Sequence, residues 1–391
     1  MTTSEPASTP APSAAQRSKG FVIGRVAGAP VVVTRSWFLA AVVLTLLFTP
    51  VAEARVAGLD GVRAYLVAFV FVLLLFASVF LHETAHALVA RARGQNVTEL
   101  AVTLWGGHTA YTGGLSRPLD GFLVAVVGPV TNLVLAAGFW FAFQATPVAD
   151  VPAFLLWAGA ASNALVGAFN LLPGLPLDGG QILESLVWAA TGKRTTGTVV
   201  AGWVGRAVAV GVLLWALVLP FAQGSRPTFT SVLWSALIGA LLWTGAGAAI
   251  SNGRRREAVA GLSAARLAGT AVTVPLGSTV AAALQARTAA AVEGVPPYFV
   301  VVVGHDQVPL AVLDVDAVAA VPSAAQDQTS VDAVAVPFVQ GSAVPPELAG
   351  TELLTHLAQR SGGARLVPVV AGGRVTGVLD LADVARAIRA T

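Results

Sequence analysis

The sequence predicts a polytopic α-helical membrane domain of about six spans followed by a smaller α/β region, and three observations carry that prediction. Apolar segments long enough to cross a bilayer recur at about 36–52, 62–90, 119–146, 152–172, 200–221 and 229–250. The composition is 55% hydrophobic and 11% charged, against about 25% charged for an average soluble domain, with a mean hydropathy of +0.76. After Arg256 the character changes to short β-branched runs separated by alanine-rich helical stretches. An ordinary soluble enzyme is excluded. There are no cysteines, so neither a disulfide framework nor a thiolate metal site exists, and any metal must be held by histidine and carboxylate. The net charge of +3 comes from basic residues beside apolar spans, which is a topological signature and points to no nucleic-acid partner.

Residues 1–20, rich in Ser, Thr, Pro and Ala, read as a disordered tail, and with no apolar run behind Met1 the first span is expected to remain as an anchor. Residues 21–34 alternate around Gly28 and Pro30 and read as two short strands with a turn at the membrane surface. With the N-terminus inside, the cytoplasmic segments hold Arg17, Lys19, Arg25, Arg35, Arg91, Arg93, Arg117, Lys193, Arg194 and Arg254 to Arg256. The outer loops hold only Arg55, Arg63 and Arg226. This asymmetry predicts a multi-pass protein with its N-terminus and C-terminal domain in the cytoplasm. The expected domains are a membrane domain over 21–252, a linker over 253–269 and the α/β region over 270–391.

The second span carries HETAH at 82–86. On a helix, His82 and His86 at i and i+4 project from one face, a geometry that suits two ligands on one metal ion. Glu83 sits beside them, as the general base does in zinc peptidases with this H-E-x-x-H pattern. His82 is nine residues from Arg91, roughly 13 Å along a helix, so the cluster lies inside a hydrocarbon core about 30 Å thick. Ionisable groups at that depth mark a functional site facing the protein interior.

Between the second and third spans, residues 100–118 carry glycine pairs at Gly106–Gly107 and 113–114 and read as a β-hairpin or re-entrant loop. An exposed strand edge there can pair with an extended substrate. His108 within it is a third metal ligand, a contact to the scissile region or a solvated loop histidine. The third span opens with Pro118 and Asp120 and contains GPVTN at 128–132, which places the amide of Asn132 at depth. The fourth ends in NLLPGLPLDGG, from Asn170 to Gly180. Pro173 and Pro176 must break the helix, and irregular backbone at membrane depth is tolerated only inside protein or beside a cavity. Asp178 is thereby presented either as the third ligand of a catalytic zinc site or as the cap of a helix beginning near Gly180.

HETAH, GPVTN and NLLPGLPLDGG, in this order, resemble the motifs of the site-2 proteases, the intramembrane zinc metallopeptidases of the M50 class. The likeness covers roughly residues 20–250, including GRVAGAPVVVTRSWFL at the start. It implies that His82, His86 and Asp178 bind one Zn2+, that Glu83 is the catalytic base, and that Asn132 and Asn170 position substrate; Gly106 and Gly107, on the strand edge of the loop, are expected to do the same. It further implies that the substrate is a single-span membrane protein, such as an anti-sigma factor or a membrane-tethered transcription regulator. The high Ala, Val, Gly and Arg content points to a bacterial genome, and the expected location is the cell membrane. A homo-oligomer is compatible with all of this.

In the C-terminal region, PLAVLDVDAVAAV at 309–321 and VTGVLDLADVARAI at 375–388 echo each other, each reading as a strand followed by a helix. The region resembles a pair of cystathionine-β-synthase-type (CBS) modules, which implies an adenine nucleotide as ligand. Asp383 matches the ribose-binding aspartate, whereas Asp380 stands where that family has Thr or Ser beside the phosphates. Two rival functions remain at this level. A metal transporter would show repeated spans, and none is seen; a catalytically silent binding module would have lost Glu83, which is intact.

Overall fold

The structure is a computed structural model, and it describes residues 19–103, 106–113, 115–146 and 150–389. The expected tail, 1–20, lies outside the described residues except for its last two. The chain divides into two compact units, meeting in sequence at Ile250 and Ser251.

The first unit opens with β1 (Gly20–Val26) and β2 (Ala29–Thr34), the antiparallel hairpin expected around Gly28. Then come α1 (Arg35–Arg55), α2 (Gly61–Ala92), β3 (Asn96–Thr103), β4 (Gly106–Thr112), α3 (Pro118–Gln144) and α4 (Val151–Asn170). α5 (Asp178–Thr191), α6 (Arg194–Ala222) and α7 (Phe229–Ala260) follow. Six of these helices, α1, α2, α3, α4, α6 and α7, are long and apolar enough to cross a membrane. The protein is a multi-pass membrane protein. Small residues sit at the buried helix contacts, among them Ala64 and Ala68 on α2, Gly128 on α3, Ala160 on α4 and Ala201 and Ala209 on α6. Without water to drive apolar surfaces together, close backbone approach supplies the packing energy.

The four strands form one sheet in the order β1-β2-β3-β4. β2 and β3 are parallel, while β3 and β4 form an antiparallel hairpin with Leu100 opposite Thr109. β4 is therefore an edge strand, and it packs against α2. Of the two alternatives for residues 100–118 a hairpin is formed, but it is shifted toward the N-terminus and runs from Asn96 to Thr112.

The break after α4 is as the two prolines require. Residues 171–177 turn back irregularly, and Leu175 N–H donates to the carbonyl of Ala201 on α6 at 3.1 Å. Chain resumes as α5, a separate 14-residue helix that starts at Asp178 and stops at Gly192, whose left-handed φ of 72° suits a glycine.

The second unit begins inside α7. The linker expected over 253–269 is corrected here: α7 runs on through Ala260, and α8 (Ala264–Leu267) follows. Arg254 to Ala260 contains good helix formers and neither Gly nor Pro, so nothing local stops the helix. The unit then reads β5 (Gly269–Pro275), α9 (Val280–Ala289), β6 (Phe299–Val303), β7 (Pro309–Leu313) and α10 (Val315–Ala319). It continues with β8 (Ala335–Pro337), α11 (Gly350–Arg360), β9 (Leu366–Ala371), β10 (Arg374–Asp380) and α12 (Leu381–Arg389). One mixed sheet, ordered β8-β7-β6-β5-β10-β9, joins the two halves. The echoed segments are β7–α10 and β10–α12, each a strand and its following helix.

Candidate metal centre and active site

α2 brings His82 and His86 to one buried face, four residues apart. Their Nε2 atoms lie 3.0 Å from each other. Asp178 Oδ2, presented from the first turn of α5, lies 3.1 Å from His82 Nε2 and 3.4 Å from His86 Nε2. Leu177, not Asp178, occupies the N-cap position, so the capping alternative for Asp178 is not the one formed.

The fit to a metal follows from where the protons are. His86 Nδ1 stands 2.6 Å from the carbonyl oxygen of Val124, which can only accept, so Nδ1 carries the hydrogen and Nε2 presents a lone pair. His82 Nδ1 stands 2.5 Å from Asn132 Oδ1 and donates in the same way. Two bare nitrogens and a carboxylate oxygen therefore face one another, and Asp178 Oδ2 is buried with no hydrogen-bond partner among the described residues. Three converging lone pairs repel unless a cation sits between them. A tetrahedral zinc with bonds of about 2.0–2.1 Å spaces its ligands about 3.3 Å apart, and the three observed separations bracket that value. The donor set of two imidazoles and one carboxylate, with a fourth position left for water, is that of catalytic zinc.

Helix α3 backs the two rings. At Gly128 a Cβ atom would fall 2.3 Å from His86 Nε2 and 2.7 Å from His82 Nε2, so only glycine lets α3 pass this close. β4 covers the other side. A Cβ at Gly107 would meet Glu83 Cγ at 2.4 Å, and Thr109 Oγ1 donates to Glu83 Oε2 at 2.8 Å. Glu83 is buried next to the histidines. It faces a cavity of about 480 Å3 that is also bordered by Gly106, Gly107, His108, Tyr111, Asn170 and Gln181. Burial raises the Tyr111 phenol above its ordinary pKa; the nearby Asp178 and Glu83 add to this, and Arg194 opposes it. Tyr111 therefore keeps its proton at neutral pH and is a hydrogen-bond donor at the cavity wall.

Of the residues singled out from sequence, His82, Glu83, His86, Asp178, Gly106, Gly107 and Asn170 gather at this cavity. Asn132 does not border it. The side chain is 1% exposed, with Oδ1 on His82 and Nδ2 donating to Asn163 Oδ1 at 2.8 Å, so it has no free atom for a substrate. His108 borders the cavity from an exposed position and stands outside the metal-capable group His82, His86 and Asp178. Thr109, Tyr111 and Asn163 were not singled out. Asn163 carried a usable signal, an amide in an apolar span; Thr109 and Tyr111 carried none, because a strand residue's neighbours depend on register. In the α/β unit, Asp383 pairs with Arg386 on its own helix at 2.8 Å. Asp380 receives a forked pair of bonds from Arg365, at 3.1 Å and 2.9 Å to Oδ2.

A His-His-Asp centre with an adjacent glutamate, shared between the membrane-length helix α2 and the first turn of the short helix α5, defines a zinc metalloprotease of the membrane. The comparisons agree. The model of peptidase family M50 matches residues 144–214. "Putative zinc metalloprotease sll0528" of Synechocystis sp. is 30% identical over 375 residues, covering 94% of this chain and 95% of that protein. The chain belongs to this family, the M50 or site-2 protease zinc metalloproteases. Among solved structures it is similar to the Site-2 Protease from Methanocaldococcus jannaschii (22% identity, 59% of this chain, 94% of that chain, TM-score 0.42). It is also similar to the CBS domain of the bacterial CNNM/CorC family Mg2+ transporter (14% identity, 35% of this chain, 83% of that chain, TM-score 0.26).

Proposed function

We propose that the protein is an intramembrane zinc endopeptidase that cuts the transmembrane segment of a single-span membrane protein. The observation that carries this reading is the convergence of the bare Nε2 atoms of His82 and His86 on Asp178 Oδ2, with Glu83 beside them, on a helix long enough to span the bilayer. Zinc held by these three residues supplies Lewis acidity and brings the pKa of water at the site down to about 7. Glu83 takes the proton of the attacking water and returns it to the leaving amine, which raises the rate about 10²–10⁴-fold. Thr109 holds the Glu83 carboxylate in place through Oε2. The scissile segment is unwound, because a helix engages its own carbonyls and amides, and it lies along the free edge of β4, where Gly107 leaves room beside Glu83 and Gly106 borders the same cavity. Asn170 borders the same cavity and contacts that segment. The resemblance to site-2 proteases makes an anti-sigma factor or a membrane-tethered transcription regulator the substrate class.

The site lies toward the cytoplasmic side of a bacterial cell membrane, with the N-terminus and the α/β unit in the cytoplasm. A reporter fused at residue 150 is expected to read out as extracytoplasmic. In the α/β unit, Asp383 is the candidate ribose contact for an adenine nucleotide; its Oδ1 is paired with Arg386, which leaves Oδ2 to accept from a ribose hydroxyl. Calorimetric titration of the full chain with AMP and ATP tests that ligand.

Zinc content of the detergent-purified chain tests the whole reading. About one ion per chain is expected in the wild type and in His108→Ala, and none in His82→Ala or Asp178→Ala. Glu83→Gln should keep its zinc and lose cleavage of a single-span reporter. A wild-type protein free of zinc, or a Glu83→Gln variant that still cuts, overturns the reading.

A further inference from the structure

We propose that Asn163 is a positioning residue that fixes the tautomer of His82, acting through Asn132 and itself oriented by a backbone carbonyl. The inference rests on the zinc-site reading above and extends it two side chains outward. His82 has no backbone carbonyl on its Nδ1, unlike His86, which rests directly on Val124. Its partner is an amide, and an amide has two faces. If Asn132 turned over, its NH2 group would face the ring, Nδ1 would have to accept, and the hydrogen would move to Nε2, the atom that must be bare to bind a metal.

Asn163 on α4 removes that freedom. Its Nδ2 donates to the carbonyl oxygen of Gly159 at 2.9 Å and to Ser78 Oγ at 3.0 Å. The carbonyl can only accept, so Nδ2 must face it, and Oδ1 of Asn163 must face Asn132. Oδ1 in turn accepts only a donor, so Nδ2 of Asn132 is turned toward it at 2.8 Å. Asn132 Oδ1 is left facing His82 Nδ1. Ser78 completes the chain by donating to the carbonyl of Leu74 at 3.0 Å. Each link has one permitted direction. Both asparagines are 1% exposed, so water cannot substitute for a lost partner. The tautomer of a ligand on α2 is thus dictated by a main-chain oxygen on α4, through α3.

Hydrogen-bonding partners behind a metal-bound histidine are worth about 10–100-fold in metal affinity. The test uses the full chain in detergent, with zinc affinity measured by chelator competition and 15N spectra of histidine-labelled, zinc-free protein. The wild-type spectrum should show His82 protonated at Nδ1; a bare Nδ1 overturns the proposal without recourse to any variant. Asn163→Leu should weaken zinc about 10–100-fold and give a mixed-tautomer signal for His82 while leaving that of His86 unchanged. Ser78→Ala should leave zinc affinity near wild type, because the Gly159 carbonyl still orients Asn163. Equal affinity in Asn163→Leu and the wild type refutes the role of Asn163. Loss of affinity in Ser78→Ala refutes the carbonyl as its anchor. A wild-type chain that binds no zinc refutes the underlying reading instead, so the two failures are separable.

Discussion

At the scale of single residues, two glycines separate binding from catalysis. Gly128 touches the ligands and Gly107 touches the base, each at a separation that a methyl group would close. Gly128→Ala is expected to push the imidazoles apart and lower zinc affinity, read by chelator competition. Gly107→Ala is expected to keep zinc and lose cleavage, because the three atoms nearest its new Cβ, Cγ, Oε1 and Cδ, all belong to Glu83. Thr109→Val removes a hydrogen bond to a charged group, worth about 1.5–3 kcal/mol, so turnover should fall about 10–100-fold with zinc content unchanged. How legible each residue was depended on how local its geometry is. His82 and His86 share a helix face by spacing alone, and Asp178 follows two prolines that force the chain open. Thr109 meets Glu83 only through the register of a hairpin laid across α2, which a strand of small polar residues does not announce. Asn132 was visible as a buried amide, but its role as a prop for His82 depends on Asn163 from another helix.

At the scale of elements, the irregular stretch between α4 and α5 is the part that aims Asp178. It is held by backbone contact: a Cβ at Gly205 of α6 would fall 2.1 Å from the Leu175 carbonyl oxygen, and one at Gly179 would fall 2.3 Å from that of Leu172. Backbone cannot swing aside as a side chain can. Gly205→Ala, which touches no ligand, should therefore displace this stretch at a cost of about 1–3 kcal/mol, lowering both the melting temperature and zinc affinity. The six spans and the first hairpin were legible because hydrophobic length and strand alternation are local patterns, whereas the second hairpin was left open against a re-entrant loop and its start at Asn96 was not read. α5 was seen only as a helix near Gly180, and the onward run of α7 was read as linker. In both places the residues are polar enough to resemble connecting chain, and only the packing around them decides that they are helical.

At the scale of the whole molecule, the α/β unit responds to acid through Asp380. Burial by itself would raise that carboxyl; the forked bond from Arg365 and the Ala382 N–H outweigh it and hold the group below the ordinary carboxylate range. Its folded-state pKa is thus depressed. The stability it contributes is present above the unfolded value of about 3.9 and is lost as pH falls through the lower folded-state value. Asp380→Asn should reduce the melting temperature of this unit at neutral pH and flatten its loss of stability below about pH 4, followed by circular dichroism of the full chain. The expected nucleotide site was harder to read, because Arg365 is far from Asp380 in sequence and nothing local shows that the aspartate is already neutralised.

The uncharged backing of His82 has an electrical consequence. Asn132, Asn163 and Ser78 behind His82 are neutral side chains, so they add no charge beside the carboxylate of Asp178. A carboxylate at position 132 would also anchor the imidazole, as it does behind many zinc-bound histidines in water-soluble enzymes, but it would add a charge in a medium where each is costly to hold. The hydrogen-bonded amides orient the ring with dipoles alone and bring no further charge to the metal-capable group.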